Sequence, residues 1–271
     1  EVWFSGLPHY GRQRSQHNGC RVLSYFADPR LNAIPERLKN VKVVAVFTSS
    51  KGGVGKTLIS TLTSLLLSRK GIGVGLLDLD VTNPTVHTLL GVDPYEVRPL
   101  EERGVVPPKV FGVSFMSPVF FTMGKPSPLR GESVSSAIRE MLSITRWEGV
   151  DALIIDTPPG MGDELLEVLT YIRRFRAIVV TTPSVLAIES ATRIADVLGH
   201  RVEAVVLNMF SGRVAQLSRL DTLKSLAPVY TLSYDSEVEE SVGSPEKLMS
   251  IKLSREVDEQ IVNHIARLMA V

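Results

Sequence analysis

The segment Lys51-Gly52-Gly53-Val54-Gly55-Lys56-Thr57 lies between an apolar run, Val41 to Phe47, and an apolar-rich helical pattern, Leu58 to Leu67. A strand that enters a glycine-rich loop and leaves as a helix is the setting of a phosphate-binding loop. Three glycines allow a tight turn that aims backbone N–H groups at phosphate oxygens. The N-terminus of the next helix adds partial positive charge at the same point. In that geometry Lys56 reaches the β- and γ-phosphates and the Thr57 hydroxyl holds Mg²⁺. Gly52, Gly53, Val54, Gly55, Lys56, Thr57 and Leu58 are therefore the candidate nucleotide contacts. Lys51 is a second lysine, which a plain nucleotide site does not need. Ser50 stands where the general pattern has glycine.

Such a loop belongs in an open α/β sheet, and the remaining chain has that pattern. Apolar runs of strand length are expected at Val41–Ser49, Gly73–Leu79, Val110–Met116, Ala152–Thr157, Ala177–Thr182, Ala204–Asn208 and Val229–Leu232. Between them come helical patterns at Lys56–Arg69, Asn83–Leu90, Glu132–Thr145, Glu164–Arg173, Ala187–Leu198, Val214–Leu226 and Glu256–Met269. The alternation implies a mostly parallel sheet with helices on both faces. Nearly continuous apolar strands such as Ala152-Leu153-Ile154-Ile155 fit burial on both sides. No linker divides the 271 residues, so 41–271 reads as one phosphate-loop domain and 1–40 as an extension or arm. Asp93–Lys109 and Thr122–Gly131 read as surface excursions.

A net charge near +1 gives no global field for nucleic acid or an acidic membrane. The single cysteine, Cys20, excludes an internal disulfide framework and points to a reducing, cytoplasmic setting. No apolar run approaches the ~20 residues of a membrane-spanning helix. The polar, basic beginning does not read as a secretory signal.

Ligands bind at the carboxyl ends of strands in such sheets. After the second strand come Asp78 and Asp80, which alternation places on one side. Asp80 is the candidate for orienting an attacking water, and Asp78 supports the metal's water shell. Capping of the helix near Asn83 is the other role open to either carboxylate. Asp156 ends a later strand, as a Mg²⁺-holding carboxylate should. Gly160, after Pro158-Pro159, offers an N–H to the γ-phosphate, so this turn can sense that group. Asn208, at another strand end, has an amide suited to a purine edge.

These motifs together resemble the deviant Walker A ATPases of the MinD/ParA group. The run Leu153 to Glu164, with Asp156-Thr157-Pro158-Pro159-Gly160 at its centre, is similar to the Mrp-type branch of iron–sulfur cluster carriers. Arg130-Gly131, Val180-Thr181-Thr182-Pro183 and Leu207-Asn208-Met209 match that branch in order and spacing. The resemblance covers about residues 40–250 and implies a homodimer that sandwiches two ATP molecules. Lys51 would then reach the partner's nucleotide, making hydrolysis a timer on association. There are departures. Leu58 replaces a Ser or Thr that contacts the α-phosphate in relatives. The stretch Phe210-Ser211-Gly212-Arg213-Val214-Ala215-Gln216 lacks the Cys-x-x-Cys that shares an Fe₄S₄ cluster between chains. Cys20 lies far from that position; two copies in a dimer give two thiolates to which His9 and His17 could add, but a cluster on this chain's own cysteines is not expected.

Several functions stay open at this level. One is a nucleotide-driven dimeric switch whose cargo or partner protein is unidentified. Another is a cluster carrier with different or partner-supplied ligands. A third is a MinD/ParA-like positioning ATPase without metal, and a fourth a tight ATP-binding scaffold with negligible turnover. The C-terminal amphipathic run, Val257 to Met269, reads as core packing rather than a membrane helix. Arg173-Arg174-Phe175-Arg176 is the only short basic cluster and reads as a solvated helix end.

Overall fold

A computed structural model of the chain describes residues 28–125, 128–212 and 220–270. Cys20, His9 and His17 fall outside the described residues, as do 213–216 of the expected cluster stretch.

Among the described residues, eight strands form one sheet: β1 (Val43–Thr48), β2 (Val74–Asp78), β3 (Lys109–Val110), β4 (Val113–Met116), β5 (Ala152–Asp156), β6 (Arg176–Thr181), β7 (Val202–Phe210) and β8 (Val229–Ser233). Their spatial order is β8-β7-β6-β1-β5-β2-β4-β3. Every pairing is parallel except the edge pair β3–β4. β1, β2 and β5 are buried along their whole length. Strands without an exposed face need cover on both sides, so they are apolar without alternation.

The cover comes from α1 (Ala33–Leu38), α2 (Lys56–Arg69), α3 (Glu132–Ile144), α4 (Asp163–Tyr171), α5 (Val185–Leu198) and α6 (Leu220–Leu226). A C-terminal helix joins them, α7 (Lys252–Val257), running through a π-helical turn (Asp258–Val262) into α8 (Asn263–Leu268). α2 packs against this C-terminal helix, and α3 packs against α1 and α4. Residues 28–40 lie on α3. Ile34 is buried there, Arg30 bonds to Ser136 and Glu140, and Arg37 donates to the Ser143 carbonyl.

Three expected elements differ from the structure. The run Val110–Met116 is not one strand but a hairpin, because Phe111 and Gly112 both have positive φ (+49° and +81°). Glycine adopts that conformation without strain and Gly112 makes the reversal possible. The helix expected at Asn83–Leu90 shrinks to Val86–Leu89. Pro84 keeps Asn83 out of the helical region, and Thr85, at φ −127°, is itself non-helical, so the helix starts only after it. The C-terminal helix begins at Lys252 rather than Glu256. Leu253, Val257, Ile261 and Ile265, four residues apart, form one buried stripe that starts before the expected boundary. Within the excursion Asp93–Lys109, Leu100–Glu101 and Val105–Val106 pair as a small ribbon.

Candidate functional site

The site forms where β1, β5 and β2 end side by side. Their register pairs Phe47 with Asp156 and Asp156 with Asp78. The Leu79 N–H donates to the Asp156 carbonyl and the Thr157 N–H to the Phe47 carbonyl, so all three strand ends are tied together. Over them runs the loop 51–55. Gly53 and Gly55 have φ of +76° and +86°, a region that L side chains avoid. Gly55 also has no room for a side chain, since a Cβ there would sit 2.3 Å from Asn208 Nδ2.

Lys56 opens α2 and folds back under the loop. Its ammonium lies 2.7 Å from Asp156 Oδ1, with the two side chains only 7% and 2% exposed. Thr57 Oγ1 donates to Asp156 Oδ2 at 2.8 Å, and Ser60 Oγ donates to Asp156 Oδ1 at 2.9 Å. A buried carboxylate needs such partners, and here it has one cation and two hydroxyls. Ser60 was not among the sequence candidates. Its signal was its position one helical turn after Lys56, on the same face of α2.

Asp78 is fully buried. Its Oδ1 accepts from the Asp80 N–H at 3.0 Å and its Oδ2 from Ser117 Oγ at 3.1 Å. Burial, and then the charge of neighbouring Asp156, push its carboxyl up to about 8. At neutral pH Asp78 therefore holds a proton, which relieves the repulsion between two adjacent strand ends. Ser117, just past β4, is a second residue that sequence alone did not single out.

Asp80 lies half-exposed beyond β2. Its Oδ1 accepts from Thr82 Oγ1 at 3.0 Å and from the Asn83 N–H at 2.9 Å, which orders the loop after β2. Glu164, at the start of α4, is close enough for its carboxyl to be raised, first by burial and further by Asp80. Gly160 has φ +93° and donates its N–H to the Ser49 carbonyl at 2.7 Å. Pro159 lies against the loop, 3.8 Å from where a Gly52 Cβ would stand. The turn after β5 is thus stitched to the phosphate loop.

Asn208 is buried at the carboxyl end of β7, and its Nδ2 donates to the Val54 carbonyl at 2.9 Å. The next residue, Met209, has φ +59°. A non-glycine residue held there is strained, and such strain gathers where surrounding structure fixes a functional loop. Lys51 is exposed at the outer rim, and its side chain has no ion pair among the described residues. Leu58 is half-buried on α2 and packs on the core.

The arrangement suits a nucleotide with Mg²⁺. Thr57 Oγ1 and Asp156 Oδ2 are hard oxygen donors at one point, and Mg²⁺ needs only one or two protein ligands besides phosphate and water. The glycine-built loop leaves backbone N–H groups and Lys56 for the phosphates. Among the described residues, no helix is long and apolar enough to cross a membrane.

The family model described as the ParA, NUBPL iron-transfer P-loop NTPase matches residues 40–259. An iron–sulfur cluster carrier protein of Helicobacter pylori is 36% identical over 179 residues, covering 64% of this chain and 48% of that protein. A cytosolic Fe-S cluster assembly factor Nubp2 homolog of Drosophila erecta is 38% identical over 164 residues, 58% of this chain and 63% of that one. The matches therefore span about half to under two thirds of these relatives' length. Among solved structures, a nucleotide-binding protein in complex with ADP from Archaeoglobus fulgidus superposes with a TM-score of 0.66 at 24% identity, covering 83% of this chain and 96% of that one. The cell division ATPase MinD of Pyrococcus furiosus gives 0.61 at 18% identity, covering 84% and 100%. These two likenesses show the fold.

Proposed function

The chain belongs to the NUBPL iron-transfer P-loop NTPase family, and from that premise we propose a Mg-ATP-binding and hydrolysing switch that works as a homodimer. ATP is sandwiched between subunits, and the switch serves iron–sulfur cluster assembly or transfer. Residues 41–271 act as the ATPase domain, residues 1–40 as its extension, and the setting is cytoplasmic. The observation that carries this reading is the buried Lys56–Asp156–Thr57–Ser60 cluster beneath a loop with two positive-φ glycines.

Within this reading, Lys56 exchanges Asp156 for the β- and γ-phosphates. Thr57 and Asp156 would hold Mg²⁺, which when bound would neutralise charge on the phosphate oxygens. Asp80 orients the attacking water, and Asp78, which accepts from the Asp80 N–H, would support the metal's water shell beside it. Gly160 turns its N–H from Ser49 to the γ-phosphate, so the turn reports which nucleotide is present. Asn208 positions the loop through Val54, which leaves its Oδ1 for a purine amine. Lys51 extends to the partner's nucleotide and stabilises charge developing there. The cluster itself is cargo. With no Cys-x-x-Cys at 210–216, its thiolates come from a partner protein.

Phosphate release from Mg-ATP by the purified chain tests this directly. Lys56→Ala is expected to abolish binding and turnover. Asp80→Ala is expected to retain ATP and lose turnover. Unchanged turnover in both variants would remove the ATPase reading. Anaerobic reconstitution with iron and sulfide addresses the cargo: a stoichiometric cluster lost on Cys20→Ala would show that the chain ligates it alone.

A further inference from the structure

The opposite end of the sheet carries a second concave surface. β1, β6 and β7 are neighbours, and their amino-terminal ends open on two adjoining cavities of about 620 and 320 Å³. The cavities share Lys42, Val44, Arg173 and Arg174 in their walls, so they form one groove. Arg176 and Arg201 complete the basic rim of the larger cavity, with Val44 and Phe175 as apolar floor. Among the described residues, no carboxylate lines either cavity. The chain as a whole has a net charge near +1, so this is a local concentration of charge.

Some of the cations are balanced from outside the groove. Lys42 pairs with Asp151 at 2.8 Å and Arg176 with Glu203 at 3.5 Å. Arg173 and Arg174 are exposed and have no ion pair among the described residues. Arg201 has none either; its guanidinium stacks on the Phe175 ring at 5.3 Å, which holds it in the wall. Three fixed or unneutralised guanidinium groups around a groove are positioned for planar, bidentate anions.

We propose that this groove docks an extended acidic segment of a partner protein. Carboxylates along the segment would meet Arg173, Arg174 and Arg201, and an apolar side chain between them would touch only the edges of Val44 and Phe175 left open to the groove (7% and 6% exposed). A single phosphate is far smaller than the groove, and these exposed cations do not enclose one. Single-stranded nucleic acid needs open aromatic faces to stack on. Here Phe175 is buried and one face is covered by Arg201. The segment 1–27 of this chain carries Arg12, Arg14 and Arg21 against Glu1, so its charge does not complement the groove. Docking here leaves the nucleotide loop uncovered, because the two lie at opposite ends of the same strands. The proposal does not depend on ATP turnover.

The test uses the full chain and a labelled peptide of about ten residues, long enough to span both cavities. Its residues are Glu and Asp around a central pair of Leu. A Gln/Asn version and a single-stranded DNA of similar length serve as comparisons, all read by fluorescence anisotropy at low salt. The acidic peptide is expected to bind with Kd on the order of 10–100 µM. Arg173→Glu/Arg174→Glu should weaken it by at least about tenfold with ATP binding unchanged. If that variant does not fold, Arg201→Gln replaces it, with an expected loss of about threefold or more. Three results would overturn the proposal. One is no saturable binding up to about 1 mM. Another is equal affinity for wild type and variants, or for the Gln/Asn peptide. The third is DNA binding tighter than the peptide through the same arginines, which would make the groove a nucleic-acid surface.

Discussion

Charge removal at the Lys56–Asp156 pair should be strongly non-additive. Asp156→Asn keeps the shape and leaves an acceptor for Lys56, but the ammonium stays only 7% exposed without a counter-charge. Breaking a buried pair from one side costs about 3 kcal/mol or more. Lys56→Met keeps most of the aliphatic stem and leaves Asp156 with the hydroxyls of Thr57 and Ser60. Those two bonds limit the loss to about 2 kcal/mol. The double variant has no buried charge at this point and should cost only about 1 kcal/mol. The implied coupling is about 4 kcal/mol, above the roughly 0.5–3 kcal/mol usual for residues in contact, because both charges are desolvated. Urea unfolding without nucleotide or Mg²⁺ measures this, because bound ligand would add its own stabilisation. With a slope near 3 kcal/mol/M, Asp156→Asn should lower the midpoint by roughly 1 M. Additive single shifts, or single shifts below about 0.3 M, would refute the claim that the pair is desolvated and mutually dependent.

Two further perturbations follow from the same strand ends. The Asp78 carboxyl is pushed up to about 8 from 3.8, so the folded state holds a proton that the unfolded chain releases. Its stabilising contribution is full below about pH 4 and is lost as pH rises toward 8. Asp78→Asn does not titrate and retains both contacts. The stability of wild type relative to this variant should therefore fall by about 2 kcal/mol between pH 6 and 8; parallel urea-midpoint profiles would contradict this. Gly55→Ala must adopt φ +86° and meets Asn208 Nδ2 at 2.3 Å, so it should weaken nucleotide binding by at least about tenfold. Adding Asn208→Ala removes the clash but not the strain, so calorimetric titration should leave the double variant weaker than Asn208→Ala alone, which lacks the Val54 bond in the same way; equal affinity of those two would mean that the backbone conformation at Gly55 is unimportant.

The phosphate loop was legible because its signal is local. Three glycines, two lysines and flanking apolar runs mark a loop whose turn rests on positive φ at Gly53 and Gly55. α2 was readable to the residue, since Gly55 in the left-handed region precedes it and the Gly71 turn follows. Long-range partnerships were less legible. Ser60 and Ser117 join the site only because α2 folds over β5 and β4 lies beside β2. The hairpin at Phe111-Gly112 was hidden in an apolar run, with Gly112 as its sole signal. Arg173-Arg174-Phe175-Arg176 read as a solvated helix end, and Arg173 and Arg174 are exposed just past α4; that Lys42 and Arg201 precede the two strands flanking β6 is not visible locally. The amide of Asn208 was read from its place at a strand end. The close approach of Gly55, which engages that amide with Val54, depends on the folded loop.

Whether a dimer closes on ATP through Lys51 is read from sedimentation of the chain at micromolar concentration. In an Asp80→Ala background, where turnover is expected to stop, Mg-ATP should give twice the chain mass and Mg-ADP the monomer. Adding Lys51→Ala should return the ATP form to monomer without changing the melting temperature. The same mass with ATP and ADP, or an ATP-dependent dimer that survives Lys51→Ala, would contradict the account.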